Sequence, residues 1–258
     1  MILDYKAIPV YYTDQGQGPA VVLLHGFLET SSMWHSLIPE LKVNNRVIAI
    51  DLLGHGQTGF LGYIHTMEMM AEAVEAVLDF LKVENIIVIG HSMGGYVALA
   101  LSENSHVKIS GLCLLNSTPF ADSKARQINR DRAIKAVKYN HNNFIRMSIT
   151  NLFGQNHRVR FSNEIETIKI EALQMPLQGI IAALEGMKIR KDRSDLMMTL
   201  EAKKLVILGT EDPVLECTEL TDCLENLKIE IVHLKGGHMS HIENKSELTD
   251  VLLHFIEK

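Results

Sequence analysis

The chain has 258 residues, of which 47% are hydrophobic, and a formal net charge of -6. That is enough apolar content for a sizeable core, and an acidic chain with no long Lys/Arg run argues against nucleic acid or an anionic membrane as its main partner. Its three cysteines, Cys113, Cys217 and Cys223, form no CxxC pair, which excludes a disulfide framework and a zinc-finger spacing.

In chain order, Val10–Thr13 reads as a strand, and Asp14-Gln15-Gly16-Gln17-Gly18-Pro19 is a turn signal. Ala20–Leu24 and Arg46–Ile50 are short continuous apolar runs, the pattern of strands covered on both faces. Met67–Leu81 has apolar residues at helical spacing, with Thr66 as N-cap and Glu68 in the first turn. Ile86–Ile89 is a third buried strand that runs into Gly90; Gly94–Leu101 is small and apolar, suited to a helix packed close to a sheet; Ile109–Leu115 is the next strand. The pattern then changes. From about Thr118 to about Met198 no strand-like run occurs, and helices are expected over Ser123–Tyr139, His141–Phe153, Asn163–Gln174 and Leu177–Ile189. Lys204–Leu208 and Ile229–Leu234 are further strands, and Lys245–Ile256 is a closing helix. The alternation indicates one α/β domain, with residues 1–117 and 199–258 as core and 118–198 as a helical insertion. Met1-Ile2-Leu3-Asp4-Tyr5-Lys6 lacks a basic region followed by a long apolar run, and no apolar run spans a bilayer, so the expected location is the cytoplasm.

The chemistry centres on Gly90-His91-Ser92-Met93-Gly94. Gly-x-Ser-x-Gly is a modest signal alone, but here it lies between a strand and a helix, the arrangement of a nucleophile elbow. A serine hydroxyl needs a base, a group that orients the base, and donors for the oxyanion. The base expected is His238, in Gly236-Gly237-His238-Met239-Ser240-His241 after the strand ending at Leu234; its flanking glycines leave it more room than His241, the rival. The orienting acid expected is Asp212, after the strand ending at Leu208 and just before Pro213, which would start a helix; Glu211 is the neighbouring candidate, and helix capping is the alternative role for Asp212. The oxyanion donors expected are the backbone N–H of Met93 and of Phe27, in the loop His25-Gly26-Phe27, and both side chains are candidates for the acyl pocket.

These residues resemble the α/β-hydrolase superfamily over essentially the whole sequence. His25-Gly26-Phe27 resembles its oxyanion segment, Asp51-Leu52-Leu53-Gly54-His55-Gly56 its Asp-x-x-Gly-x-Gly turn, Gly90–Gly95 its elbow, Gly209–Pro213 its acid loop and Gly237-His238 its histidine loop. The resemblance implies an eight-stranded, mostly parallel sheet, with the insertion as a lid over the active site. It also implies a structural role for Asp51 and His55.

The expected function is a serine hydrolase acting through an acyl-enzyme, a carboxylesterase of small to medium acyl esters, with a small-molecule ester or acyl substrate, no cofactor and no metal; a homodimer is one open assembly. Two other readings stand beside it. Lyases of menaquinone biosynthesis resemble this family, carry the same triad and bind dianionic substrates, which requires arginines facing the site; Arg126, Arg130, Arg132, Arg146, Arg158 and Arg160 are available, whereas Tyr96 stands where that subfamily favours a basic residue. A low-turnover ligand-binding protein on the same fold is the other. Haloperoxidase-like perhydrolysis, without a metal, would be a side activity.

Overall fold

The structure, a computed structural model, describes residues 1–225 and 229–258. Eight strands form one sheet: β1 (Ile2–Tyr5), β2 (Ile8–Gln15), β3 (Ala20–Leu24), β4 (Arg46–Ile50), β5 (Asn85–His91), β6 (Lys108–Leu115), β7 (Lys203–Gly209) and β8 (Glu230–Leu234). Their order is β1-β2-β4-β3-β5-β6-β7-β8. β2 pairs antiparallel with β1 and β4, and every other pairing is parallel. The mostly parallel eight-stranded sheet expected above is therefore present.

The apolar runs of β3, β4 and β5 feed two cores at once, because successive side chains point to opposite faces. Val22, Leu24, Ile48, Ile50, Ile86 and Val88 enter the larger core. Val21, Leu23, Val47, Ala49, Ile87 and Ile89 enter a second core on the other face, together with Trp34 and Leu37. The short helix α1 (Ile38–Leu41) belongs to that second face, and α2 (Met67–Phe80) and α3 (Met93–Asn104) to the first. Thr66 caps α2 through its side chain, accepting from the Met69 N–H at 3.1 Å.

Between β6 and β7 only helices occur among the described residues: α4 (Lys124–Tyr139), α5 (His141–Thr150), α6 (Ser162–Ala172), α7 (Leu177–Lys188) and the short α8 (Ser194–Thr199). Asn140 ends α4 and caps α5, its side chain accepting from Asn143 N–H. α5 stops at Thr150 rather than continuing to Phe153. The segment is tied to the sheet domain by backbone and side-chain bonds: His65 N–H to Ala182 O at 2.9 Å, Ser32 Oγ to Glu171 at 2.6 Å, and His238 N–H to Leu152 O at 2.9 Å.

After β7 comes α9 (Cys217–Glu225), then β8, the short α10 (Ser240–Glu243) and α11 (Lys245–Glu257). Pro213 does not start a helix. Asp212 folds the chain into a turn there, its Oδ1 accepting from the Val214 and Leu215 amides, and the helix waits until Cys217. Among the described residues no helix is long and apolar enough to cross a membrane.

Candidate active site

β5 delivers Ser92 to the C-terminal edge of the sheet, and α3 starts at the next residue. The turn between them holds Ser92 at φ 50° and ψ -112°, a conformation that costs a non-glycine residue about 1–3 kcal/mol. It is held from both sides: Ser92 N–H donates to Leu115 O at 2.9 Å, and Ser117 Oγ donates to Ser92 O at 2.7 Å. Gly94 has to be glycine, since a Cβ there would lie 2.3 Å from Leu24 O and 2.7 Å from His25 O, both immovable backbone.

His238 follows β8, and its ring spans two partners. Nε2 lies 2.8 Å from Ser92 Oγ, and Nδ1 lies 2.7 Å from Asp212 Oδ2. A carboxylate accepts, so Nδ1 carries the proton and Nε2 presents its lone pair to the Ser92 hydroxyl. Asp212 comes from the loop after β7. Its Oδ1 accepts from Val214 N–H at 2.7 Å and Leu215 N–H at 3.1 Å, and its Oδ2 also accepts from Asn116 Nδ2 at 3.1 Å. Burial works to raise the Asp212 carboxyl, but His238 and the two amides outweigh it and hold it below the ordinary aspartate value. Asp212 thus caps the turn with one oxygen and bonds His238 with the other.

The two rival residues lie elsewhere. Glu211 is exposed, and only its N–H is fixed, to Gly236 O at 2.8 Å. His241 is buried behind the site, its Nε2 3.8 Å from Glu29 Oε1, and burial pushes it down to about 4.

Phe27 follows β3 and lines a cavity of about 560 Å³ that also contains Ser92 and His238. The Met93 side chain, expected in the acyl pocket, is fully buried in the larger core and is not part of that cavity's lining. As the first residue of α3, Met93 has an amide with no intrahelical acceptor, at the positive end of the helix dipole. Apolar walls come from Leu28, Phe144, Leu152, Leu184 and Met187, and Arg130 and Arg158 add two guanidinium groups. Of the six arginines considered from the sequence, these two reach the cavity. Asp122 takes both Arg130 and Arg190, so the acid is shared between two cations. Arg158 Nε donates to Phe153 O at 3.4 Å.

Asp51 and His55 do not enter the site. Asp51 accepts from Ser31 and Gln57 amides, and His55 is buried with its ring pushed down to about 3 by desolvation. His25 shapes the oxyanion loop, its Nδ1 against Gly26 O and its Nε2 accepting from Leu52 N–H. Two residues that the sequence reading passed over sit directly beneath the site, Glu29 and His91. With His241 they bring three potential metal-ligating atoms within 4.8 Å. Both nitrogens of His91 are already engaged, with Glu29 Oε2 at 2.6 Å and His238 O at 2.9 Å, so the donor set does not fit a metal cradle.

Comparison with known proteins places this geometry. The family described as alpha/beta hydrolase fold matches residues 19–245. The dihydrolipoyllysine-residue acetyltransferase component of an acetoin cleaving system from Pseudomonas putida is 26% identical over 93% of the chain, which spans 64% of that longer relative. The 3-oxoadipate enol-lactonase 1 of Acinetobacter baylyi is 23% identical, covering 98% of this chain and 94% of that one. A thermophilic esterase from Thermogutta terrifontis, solved with malate bound, superimposes with a TM-score of 0.92 and 28% identity, covering 100% of this chain and 97% of that one. With its sheet order, its strand-to-helix serine and a family match across most of its length, this chain belongs to the α/β-hydrolase fold family.

Proposed function

We propose that the protein is a serine esterase working through an acyl-enzyme. The observation that carries this reading is the continuous hydrogen-bonded chain from Ser92 Oγ through His238 to Asp212. Ser92 Oγ attacks the ester carbonyl carbon while His238 Nε2 takes its proton. Asp212 keeps the ring in the tautomer that can accept, and stabilises the imidazolium that forms. The amides of Met93 and Phe27 receive the oxyanion. As the tetrahedral intermediate collapses, His238 returns the proton to the leaving alcohol. Water then enters by the same route in reverse order of groups: His238 takes its proton, the oxygen attacks the acyl carbon, and Ser92 leaves with the proton back on Oγ.

Residues 118–198 act in this account as a cap that selects the substrate. Arg130, Phe144, Leu152, Arg158, Leu184 and Met187 all come from it and all face the cavity that holds Ser92. A cavity of about 560 Å³ suits a small to medium ester. Its two guanidinium groups favour an ester or lactone that also bears a carboxylate. One relative is named for an enol-lactone of 3-oxoadipate, and the esterase it superimposes on is described with malate bound.

The same two arginines support a second reading, triad-assisted elimination on an anionic substrate: His238 takes a carbon-bound proton, the electron pair left behind forms a double bond, the bond to the leaving group on the neighbouring carbon breaks with that group departing as an anion, and Ser92 only orients the substrate. The two readings part at one experiment. p-Nitrophenyl butyrate is turned over by the wild type and not by Ser92→Ala if the protein is an esterase. Equal rates for the two proteins contradict the esterase.

A further inference from the structure

Glu29 and His91 belong to neither the triad nor the oxyanion donors, yet they bond three of the four loops that carry them. Glu29 lies in the loop after β3, four residues past His25. Its Oε2 accepts from Gly26 N–H at 2.8 Å, one residue before the Phe27 amide. The same oxygen lies 2.6 Å from His91 Nδ1, immediately before Ser92. His91 Nε2 lies 2.9 Å from the carbonyl oxygen of His238. A carbonyl only accepts, so Nε2 carries a proton; a carboxylate at 2.6 Å requires another at Nδ1. The ring is therefore an imidazolium and the pair is ionic, with both side chains almost wholly inaccessible. The electrostatics of the pair agree. Burial works against both charges, but the pairing raises His91 above the ordinary histidine value and lowers Glu29 to about 2.

We infer that the Glu29–His91 ion pair is a positioning clamp that sets the oxyanion loop, the elbow and the histidine loop against one another. It works only on the proposed esterase site and so rests on that reading. The backbone of His238 is held at both ends: its N–H donates to Leu152 O in the segment between α5 and α6, and its C=O accepts from His91. Remove His91 and one of these two anchors goes. Remove the Glu29 charge and the His25–Gly26 peptide, one residue before the Phe27 amide, loses its charged acceptor, while His91 loses its counter-ion. Gly26 records how tightly the parts are fitted: a Cβ there would lie 2.3 Å from Glu29 Oε2 and 2.7 Å from His91 Nδ1.

The His91 ring lies 5.1 Å from the His238 ring. The other groups facing His91 are Asp212 on the acid loop, His241 at the start of α10, and His25 beside Glu29. Of these Asp212 is anionic, and burial keeps His241 and His25 below the ordinary histidine value.

The test compares wild type, Glu29→Gln and His91→Gln on p-nitrophenyl butyrate, with each rate divided by the sites titrated with a fluorophosphonate. A positioning role predicts kcat per titrated site lowered by about 10- to 100-fold with KM within about twofold. A purely structural role would lower the thermal midpoint and the fraction of titratable sites; kcat per site within about twofold of wild type overturns the clamp. Absence of turnover in the wild type itself would count against the esterase reading instead. Should either variant fail to fold, ¹⁵N-histidine NMR of the wild type decides. His91 with both ring nitrogens protonated at about pH 8, well above the ordinary ~6.5, supports the clamp, and a singly protonated ring overturns it.

Discussion

Asp212→Asn is the sharpest perturbation of the site, because the geometry dictates how the amide must turn. The position now filled by Oδ1 accepts two backbone amides, Val214 at 2.7 Å and Leu215 at 3.1 Å, and only an oxygen can serve there. The Asn Nδ2 is then forced into the Oδ2 position, facing His238 Nδ1 at 2.7 Å and Asn116 Nδ2 at 3.1 Å. Two donors would meet at His238, and the ring escapes by moving its proton from Nδ1 to Nε2. It then presents a donor to Ser92 Oγ and can no longer accept its proton. A wrong tautomer of this kind costs about 10⁴-fold in kcat, or ~5.4 kcal/mol of barrier at ~1.36 kcal/mol per tenfold. The assay is kcat on p-nitrophenyl butyrate for folded variant and wild type at matched circular dichroism. A loss smaller than about tenfold would refute the assignment of Asp212 as the orienting acid.

Three further outcomes follow from the same contacts. Ser92→Gly and Ser92→Ala should both lose turnover, but the glycine variant should be the more stable by ~1 kcal/mol because it relieves the positive φ of the elbow; equal thermal midpoints would contradict stored strain there. Glu29 falls from 4.5 to about 2 in the folded state, so it adds stability that is complete above its unfolded value and is lost as pH drops toward 2. That contribution is ~3 kcal/mol, so the gap in unfolding free energy between wild type and Glu29→Gln should narrow steadily from pH ~6 to pH ~3; a constant gap would contradict the ion pair. Arg158→Met should raise KM about tenfold for a p-nitrophenyl hemisuccinate and leave that for the butyrate ester unchanged, since its guanidinium carries the preference for an anionic group; parallel changes on both substrates would count against that role.

The sheet was legible because its central strands are short and apolar throughout, and each of those runs alternates between two buried faces. β1 was not, since Ile2–Tyr5 is four residues long and half exposed, so it carries no burial pattern to read. The three groups of the hydrogen-bonded chain were legible because each sits just past a strand end, in a loop marked by glycine or proline. Their support was not. Glu29 meets His91 across 62 residues, and Asn116 meets Asp212 across 96, and nothing local distinguishes such a glutamate or asparagine from a solvated one. His91 looked like a filler in the Gly-x-Ser-x-Gly motif, though its ring holds two loops together. Pro213 misled in the other direction: the turn made by Asp212 Oδ1 overrode the proline's preference for a first helical turn. The Met93 side chain was misplaced for a similar reason. Its neighbourhood in sequence is the nucleophile, but its side chain is wholly buried in the larger core.

The central claim is that Ser92 becomes acylated. Intact-protein and peptide mass spectrometry of enzyme quenched in acid soon after mixing with p-nitrophenyl butyrate reads this directly. The account predicts a butyryl adduct on the peptide containing Ser92, absent in Ser92→Ala. An adduct on any other residue, or turnover with Ser92 unmodified and dispensable, would contradict it.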